Sequence, residues 1–205
     1  MRDEEDLIRA AARGDPLAFE ELVLSKRERV VRTAFQVTGD LEDARDVAQG
    51  VFLRVWKVLR RFNPQRRFDT WLYRITVNAA IDFIRERGPR GALQPLPEEH
   101  SAPGMRVDPQ SERVLDLADL QRAFLRLAAG LAPKQRAAFV LREIEGLETA
   151  EVARILSVSR STVRNHLLQA RRALRAGIER DYPGLLPVSG ARTRGGGPDG
   201  EGGTP

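Results

Sequence analysis

The chain has no cysteine, which excludes disulfides and thiolate metal sites. Its two histidines, His100 and His166, are too few and too far apart to suggest a metal centre. No apolar run approaches the length that crosses a bilayer. The N-terminal stretch is charged and amphipathic and lacks the apolar core of a signal peptide. No segment alternates apolar and polar residues with the period of a strand. There is no glycine-rich phosphate loop and no nucleophile set beside a base. These absences point to a cytoplasmic all-α protein with no catalytic residues, no cofactor, no metal, no membrane contact and no small-molecule substrate.

What is present is helical periodicity interrupted by proline and glycine. Residues 1–87 read as four helices. Asp3 caps the first, which ends near Gly14. Asp15 followed by Pro16 fits an N-cap and a first-turn proline for the second. Gly39-Asp40 breaks the second, and the third runs from about Leu41 to Phe62. Asp69 or Thr70 then caps a fourth helix, which continues through Arg87 with Trp71, Leu72, Ile75, Ala79 and Phe83 at helical spacing. Residues 88–111 hold five prolines and three glycines and read as a flexible linker. Residues 112–181 return to helical periodicity. Leu115, Leu117, Leu120, Phe124 and Leu127 mark one helix. Another starts at Pro133 and ends near Glu145, before Gly146. The glycine-rich tail, 182–205, lacks the apolar residues needed to order it. The expected architecture is two small helical domains, 1–87 and 112–181, joined by the linker.

The 34 basic and 29 acidic residues leave a net charge of +5, an excess too modest to mean much until it is located. Residues 112–159 balance, with seven of each sign. The stretch "SVSRSTVRNHLLQARRALR", Ser157–Arg175, carries five arginines and no acidic residue. A charge run is ordinarily a solvated helix face. Here it follows a short helix, Thr149–Leu156, and a turn at Ser157-Val158, with Ser159 as N-cap. Val152, Ala153 and Leu156 face inward on the first helix, and Val163, Leu167, Ala170 and Leu174 on the second. This is a helix-turn-helix pattern. The outward face presents Arg160, Ser161, Arg164, Asn165 and Leu168 where base edges would be reached. Arg171, Arg172 and Arg175, further along, suit phosphates. Ser157 stands where a glycine would best tolerate a left-handed backbone.

Two stretches together resemble one family. "DVAQGVFLRVWKVLRRFNPQRRFDTWLYRITVNAAIDFIR", 46–85, is similar to the second conserved domain of sigma-70 family sigma factors. "LAPKQRAAFVLREIEGLETAEVARILSVSRSTVRNHLLQARRAL", 131–174, is similar to their fourth. The short linker and the missing middle domain resemble the extracytoplasmic-function (ECF) group. The resemblance implies that Asp46 and Gln49 dock on the RNA polymerase core, with Gly50 in place of the usual acidic residue. It implies that the loop 62–69 and the helix after it bind the single-stranded minus-10 element. There Arg66 and Arg67 would hold the backbone, and Asn78 and Asp82 would line a pocket for an extruded base. Trp71 reads as a core residue rather than a stacking platform. In the minus-35-reading domain, Arg142 matches a phosphate-contacting position, and Gln169 stands where arginine is common. Glu148 replaces a common serine cap, leaving Thr149 as the cap.

The expected function is therefore that of a sigma factor. It would direct core RNA polymerase to promoter DNA and assist opening, with an anti-sigma factor as a further partner implied by the resemblance. The alternative is a helix-turn-helix regulator that binds duplex DNA as a dimer without polymerase.

Overall fold

In the computed structural model, residues 3–87 and 117–182 are described, and the linker, Leu115 and the tail beyond Tyr182 lie outside them. Every regular element among the described residues is helical, as the sequence predicts. They are α1 (Glu4–Ala12), α2 (Pro16–Thr38), α3 (Leu41–Val58), α4 (Phe68–Arg87), α5 (Leu117–Ala128), α6 (Pro133–Phe139), α7 (Thr149–Leu156) and α8 (Arg160–Asp181). None is long and apolar enough to cross a membrane.

Local chemistry sets the helix ends. The Asp3 carboxylate accepts from the Glu4 amide, and Asp15 accepts from the amides of Leu17 and Ala18, with Pro16 at the first helical position. Gly39 closes α2 in the left-handed region at φ 91°, and Asp40 caps α3 through the Asp43 amide. The third helix tightens into a 3-10 turn at Leu59–Arg61 instead of running on to Phe62.

Two predicted caps are not caps. The fourth helix begins at Phe68, so Asp69 and Thr70 lie inside its first turn. Asp69 accepts instead from Lys26, at 2.9 Å, and pairs with Arg29, at 2.6 Å. Lys26 is itself buried and also reaches Glu4 at 2.6 Å, so one cation ties α1, α2 and α4 together. Burial works against the charge on Asp69, but the hydrogen bonds and charges of Lys26 and Arg29 outweigh it and hold the carboxyl below the usual range. Thr149 is likewise the first helical residue of α7. The cap position is Glu148, whose amide donates to the Glu151 side chain.

The N-terminal bundle has its own core, built from Leu22, Val30, Val37, Val51, Val55, Leu59, Val77 and their neighbours. Trp71 is half-buried in an aromatic cluster with Phe62 and Phe68, at centroid distances of 5.1 and 5.5 Å, as expected of a packing residue. The C-terminal half differs. A small cluster of Ala128, Leu131, Ala170 and Leu174 belongs to it alone. Its larger core, with Val140, Leu141, Val152, Ile155, Leu156 and Val163, is continuous with that of the bundle. On α5 the predicted Phe124 and Leu127 pack against the core beside the buried Ala123, Leu125 and Ala128, while Leu120 is about half exposed.

Candidate nucleic-acid interface

Helix α7, the turn and α8 form the helix-turn-helix. Val152, Ala153 and Leu156 on α7 and Val163, Leu167, Ala170 and Leu174 on α8 are all buried, as the spacing predicts. Between them Ser157 sits in the left-handed region at φ 53°, the only non-glycine residue with positive φ among the described residues. The Ser159 hydroxyl accepts from the Thr162 amide at 3.0 Å and caps α8.

The face opposite the core is open. Arg160, Ser161, Arg164, Asn165, Leu168, Gln169, Arg171, Arg172 and Arg175 are all exposed on α8. Exposed arginines at i, i+4 on the first turns can reach groove edges, and a leucine at 45 % exposure among them offers an apolar contact to a thymine methyl. These arginines are not equivalent. Arg171 donates to Glu143 at 2.7 Å and Arg175 to Glu179 at 2.9 Å, whereas Arg164 reaches only the Arg160 carbonyl of its own helix, at 3.4 Å. Arg142 is half-buried and donates to the Leu147 carbonyl, at 3.3 Å. His166 is also half-buried. Burial and then the charge of Lys134 lower its pKa, which keeps it neutral at pH 7.

In the N-terminal half, Arg66 and Arg67 are exposed on the short turn before α4. Asn78 is half-buried and Asp82 exposed one turn further on, on the same side of α4, with Asp82 beside Arg85 at 3.8 Å. Asp46 and Gln49 are exposed on α3, with Gly50 next to them. A Cβ built on Gly50 meets no atom within 4 Å. The nucleic-acid candidates thus form two separate surfaces, on α8 and around α4, with a third candidate surface on α3.

Sequence reasoning missed Arg136 and Glu145. Arg136 is 5 % exposed, and its Nε donates to the Gln36 carbonyl at 2.6 Å. Burial pushes its guanidinium down to about 10, so it stays charged at neutral pH. Glu145 accepts from the Thr33 hydroxyl at 3.1 Å and from the Tyr73 hydroxyl. Burial, and then the hydrogen bond to Glu145, raise the Tyr73 phenol above its usual value. Both side chains lie in helical stretches with ordinary charge spacing, and their partners are 72 to 112 residues away in sequence. The one local sign was that α2 has no basic residue in its own last turn.

Residues 22–90 match the family model for Sigma-70 region 2, and residues 121–174 match Sigma-70 region 4. The sigma-E factor of Streptomyces antibioticus is 33 % identical over 168 residues, covering 82 % of this chain and 89 % of that one. The ECF factor SigE of Mycolicibacterium smegmatis is 35 % identical over 167 residues, covering 80 % of this chain and 64 % of the relative's length. A solved structure, CnrH in complex with the cytosolic domain of CnrY, superposes with a TM-score of 0.62 at 26 % identity over 87 % of this chain and 99 % of that chain. With a region 2 and a region 4 match in order along one chain, and relatives of this kind over most of its length, the protein belongs to the sigma-70 family of RNA polymerase sigma factors, in its extracytoplasmic-function group.

Proposed function

We propose that the two surfaces divide promoter recognition between them. The α8 face reads the minus-35 element as duplex, through Arg160, Ser161, Arg164, Asn165, Leu168 and Gln169. Arg142, Arg171, Arg172 and Arg175 hold phosphates. The α4 face, with Arg66, Arg67, Asn78 and Asp82, takes the minus-10 element as it opens, because an extruded base needs polar groups to replace its lost pairing. Asp46 and Gln49 on α3 meet core polymerase. Residues 1–87 and 112–181 are the working domains, 88–111 the connection and 182–205 the tail. The protein acts in the cytoplasm, makes and breaks no bond itself, and is held by an anti-sigma factor when idle.

The observation that carries this reading is the open arginine face of α8, rigidly set by the Ser159 cap and the packed α7 beneath it. The alternative of a regulator working without polymerase is not favoured, because the N-terminal bundle matches region 2 instead of standing as an unrelated dimerising or sensing unit. Run-off transcription with purified core polymerase on a promoter library tests the proposal. Specific transcripts that depend on the added protein are expected. Tight, sequence-specific duplex binding by a dimer without polymerase, and no transcript with it, would overturn it.

A further inference from the structure

The seam where Arg136 and Glu145 join the halves is not the only place where charged side chains link distant helices. Lys26 of α2 has a side chain only 7 % exposed, and its ammonium donates to Glu4 of α1 at 2.6 Å and to Asp69 of α4 at 2.9 Å. The same ammonium stands 5.9 Å from the centre of the Phe68 ring. Arg29, three residues further along α2, takes the other oxygen of Asp69 at 2.6 Å. Both oxygens of that carboxylate are therefore held. This fixes the first turn of α4 against α2 in rotation as well as in distance.

Immediately before that turn lies the loop 63–67, all of it exposed, with Arg66 and Arg67 at its end. Inside the loop, the Asn63 side-chain oxygen accepts from the Gln65 amide at 2.9 Å, and the Asn63 carbonyl accepts from the Arg66 amide at 3.0 Å. Its ends are held from outside. The Arg67 carbonyl accepts from the Trp71 amide of α4 at 3.2 Å. Phe62, just before the loop, and Phe68, just after it, meet edge to face at 5.4 Å, with Trp71 beside both. The two ends are thus stapled together, and Lys26 anchors the second of them to the body of the bundle.

A buried ion pair is a poor source of stability, because desolvation cancels much of the attraction and an apolar side chain of similar volume does as well. What an apolar side chain cannot supply is direction. Resting on the minus-10 reading of the α4 face, we propose that Lys26 is a positioning residue for promoter opening: clamped between Glu4 and Asp69, it sets the start of α4 and so presets the loop that carries Arg66 and Arg67 before DNA arrives. An unset loop would lose backbone and side-chain freedom on meeting a single strand. A loop set in advance has lost its share on folding, so that cost does not weaken binding. Through Glu4, α1 takes part in opening although none of its residues belongs to either DNA surface.

The test uses the full chain in complex with core polymerase and a labelled single-stranded oligonucleotide carrying the minus-10 element of a promoter found by run-off transcription. Lys26→Met keeps the length of the side chain and leaves Asp69 paired with Arg29, so the variant should melt close to the parent. It should bind the oligonucleotide about tenfold more weakly and slow opening of the duplex promoter by a similar factor, with affinity for a duplex minus-35 element unchanged. Asp69→Asn should act in the same direction and carries the test if methionine at 26 does not fold. Leu22→Ala, a plain core deletion on the same helix, should lower the melting temperature and leave oligonucleotide affinity unchanged. The decisive measurement is a double-mutant cycle. In a protein already carrying Arg66→Ala and Arg67→Ala, Lys26→Met should cost less than about twofold more, because the residues it positions are gone. Unchanged oligonucleotide affinity in both Lys26→Met and Asp69→Asn, the same tenfold loss without the two arginines, or an equal loss in Leu22→Ala would each overturn the positioning role. If Arg66→Ala with Arg67→Ala itself loses nothing, the minus-10 reading of this loop fails, and the role of Lys26 falls with it.

Discussion

The N-terminal bundle and the C-terminal half are built from the same material, amphipathic helices, yet they reach stability differently. The bundle buries Leu22, Val37, Val51 and Val77 among its own helices. The C-terminal half keeps only a small private cluster and shares the rest of its core across the seam. A four-helix bundle of this size can bury a core unaided, whereas a shorter helical set has less apolar area to remove from water. The C-terminal half therefore draws part of its stability from its neighbour.

The largest expected effects test this asymmetry. Leu22→Ala and Leu141→Ala each delete a fully packed side chain and should cost about 2–5 kcal/mol. Denaturant melts of the halves made separately would tell the two sites apart. The Leu22→Ala penalty should appear in full in residues 1–87 alone. The Leu141→Ala penalty should shrink in residues 112–181 alone, where part of its surroundings is missing. Equal penalties in the separate halves and in the whole chain would mean that the seam lends no stability.

The next contrast lies within α8. Arg164→Ala should lose roughly 1–3 kcal/mol on a matched minus-35 element and relax preference at one base pair. Arg175→Ala should weaken matched and scrambled elements alike and lower the salt slope by about one. The Arg175–Glu179 pair is exposed and worth little, so it does not withhold the side chain from a phosphate. Polymerase-bound affinities across a salt series would check this, and an Arg164→Ala loss that is the same on scrambled DNA would remove its base-reading role.

A third comparison sets the α4 face against the α8 face. Asn78→Ala should slow promoter opening by more than it weakens duplex docking, since unstacking a base costs a few kcal/mol that the pocket must offset. A template already mismatched across minus 10 should restore part of the activity. If Asn78 only supports packing, the variant will melt earlier and hurt both templates equally; permanganate reactivity of the minus-10 thymines beside a melting curve decides between the two.

How much of this was legible in the sequence follows from the range of the forces involved. The caps at Asp3, Asp15 and Ser159 act over one to three residues and are written in the local order of residues. The inward stripe of α8 is equally local. Asp69 broke the pattern because two cations from α2, some forty residues away, took the carboxylate that would otherwise have capped α4. Arg136 and Glu145 were illegible for the same reason. Nothing within a turn of either marks it as buried, and only the docking of the halves gives it a partner. The exposed arginine face of α8 was visible because it needs no distant partner to define it.

The smallest effects concern two positions where glycine and its alternatives sit in unexpected places. Gly50 lies inside α3, facing solvent, with room for a side chain. Gly50→Ala should stabilise the bundle by about 1 kcal/mol through helix propensity alone. Ser157 is the reverse case, a serine in a left-handed turn that favours glycine. A left-handed backbone costs a residue with a Cβ about 1–2 kcal/mol, while glycine gives back roughly 0.5–1 kcal/mol by loosening the unfolded chain. The net gain from Ser157→Gly should then be a few tenths to about 1 kcal/mol. It should appear in the C-terminal half and leave binding of a matched minus-35 element unchanged, because the Ser159 cap and the packing of α7 on α8 still fix the reading face. Loss of stability in Ser157→Gly would mean that the serine hydroxyl does something in the turn that outweighs its backbone strain. Unchanged stability with weakened DNA binding would mean that the rigidity of the turn, and not only its shape, holds α8 in register with the groove.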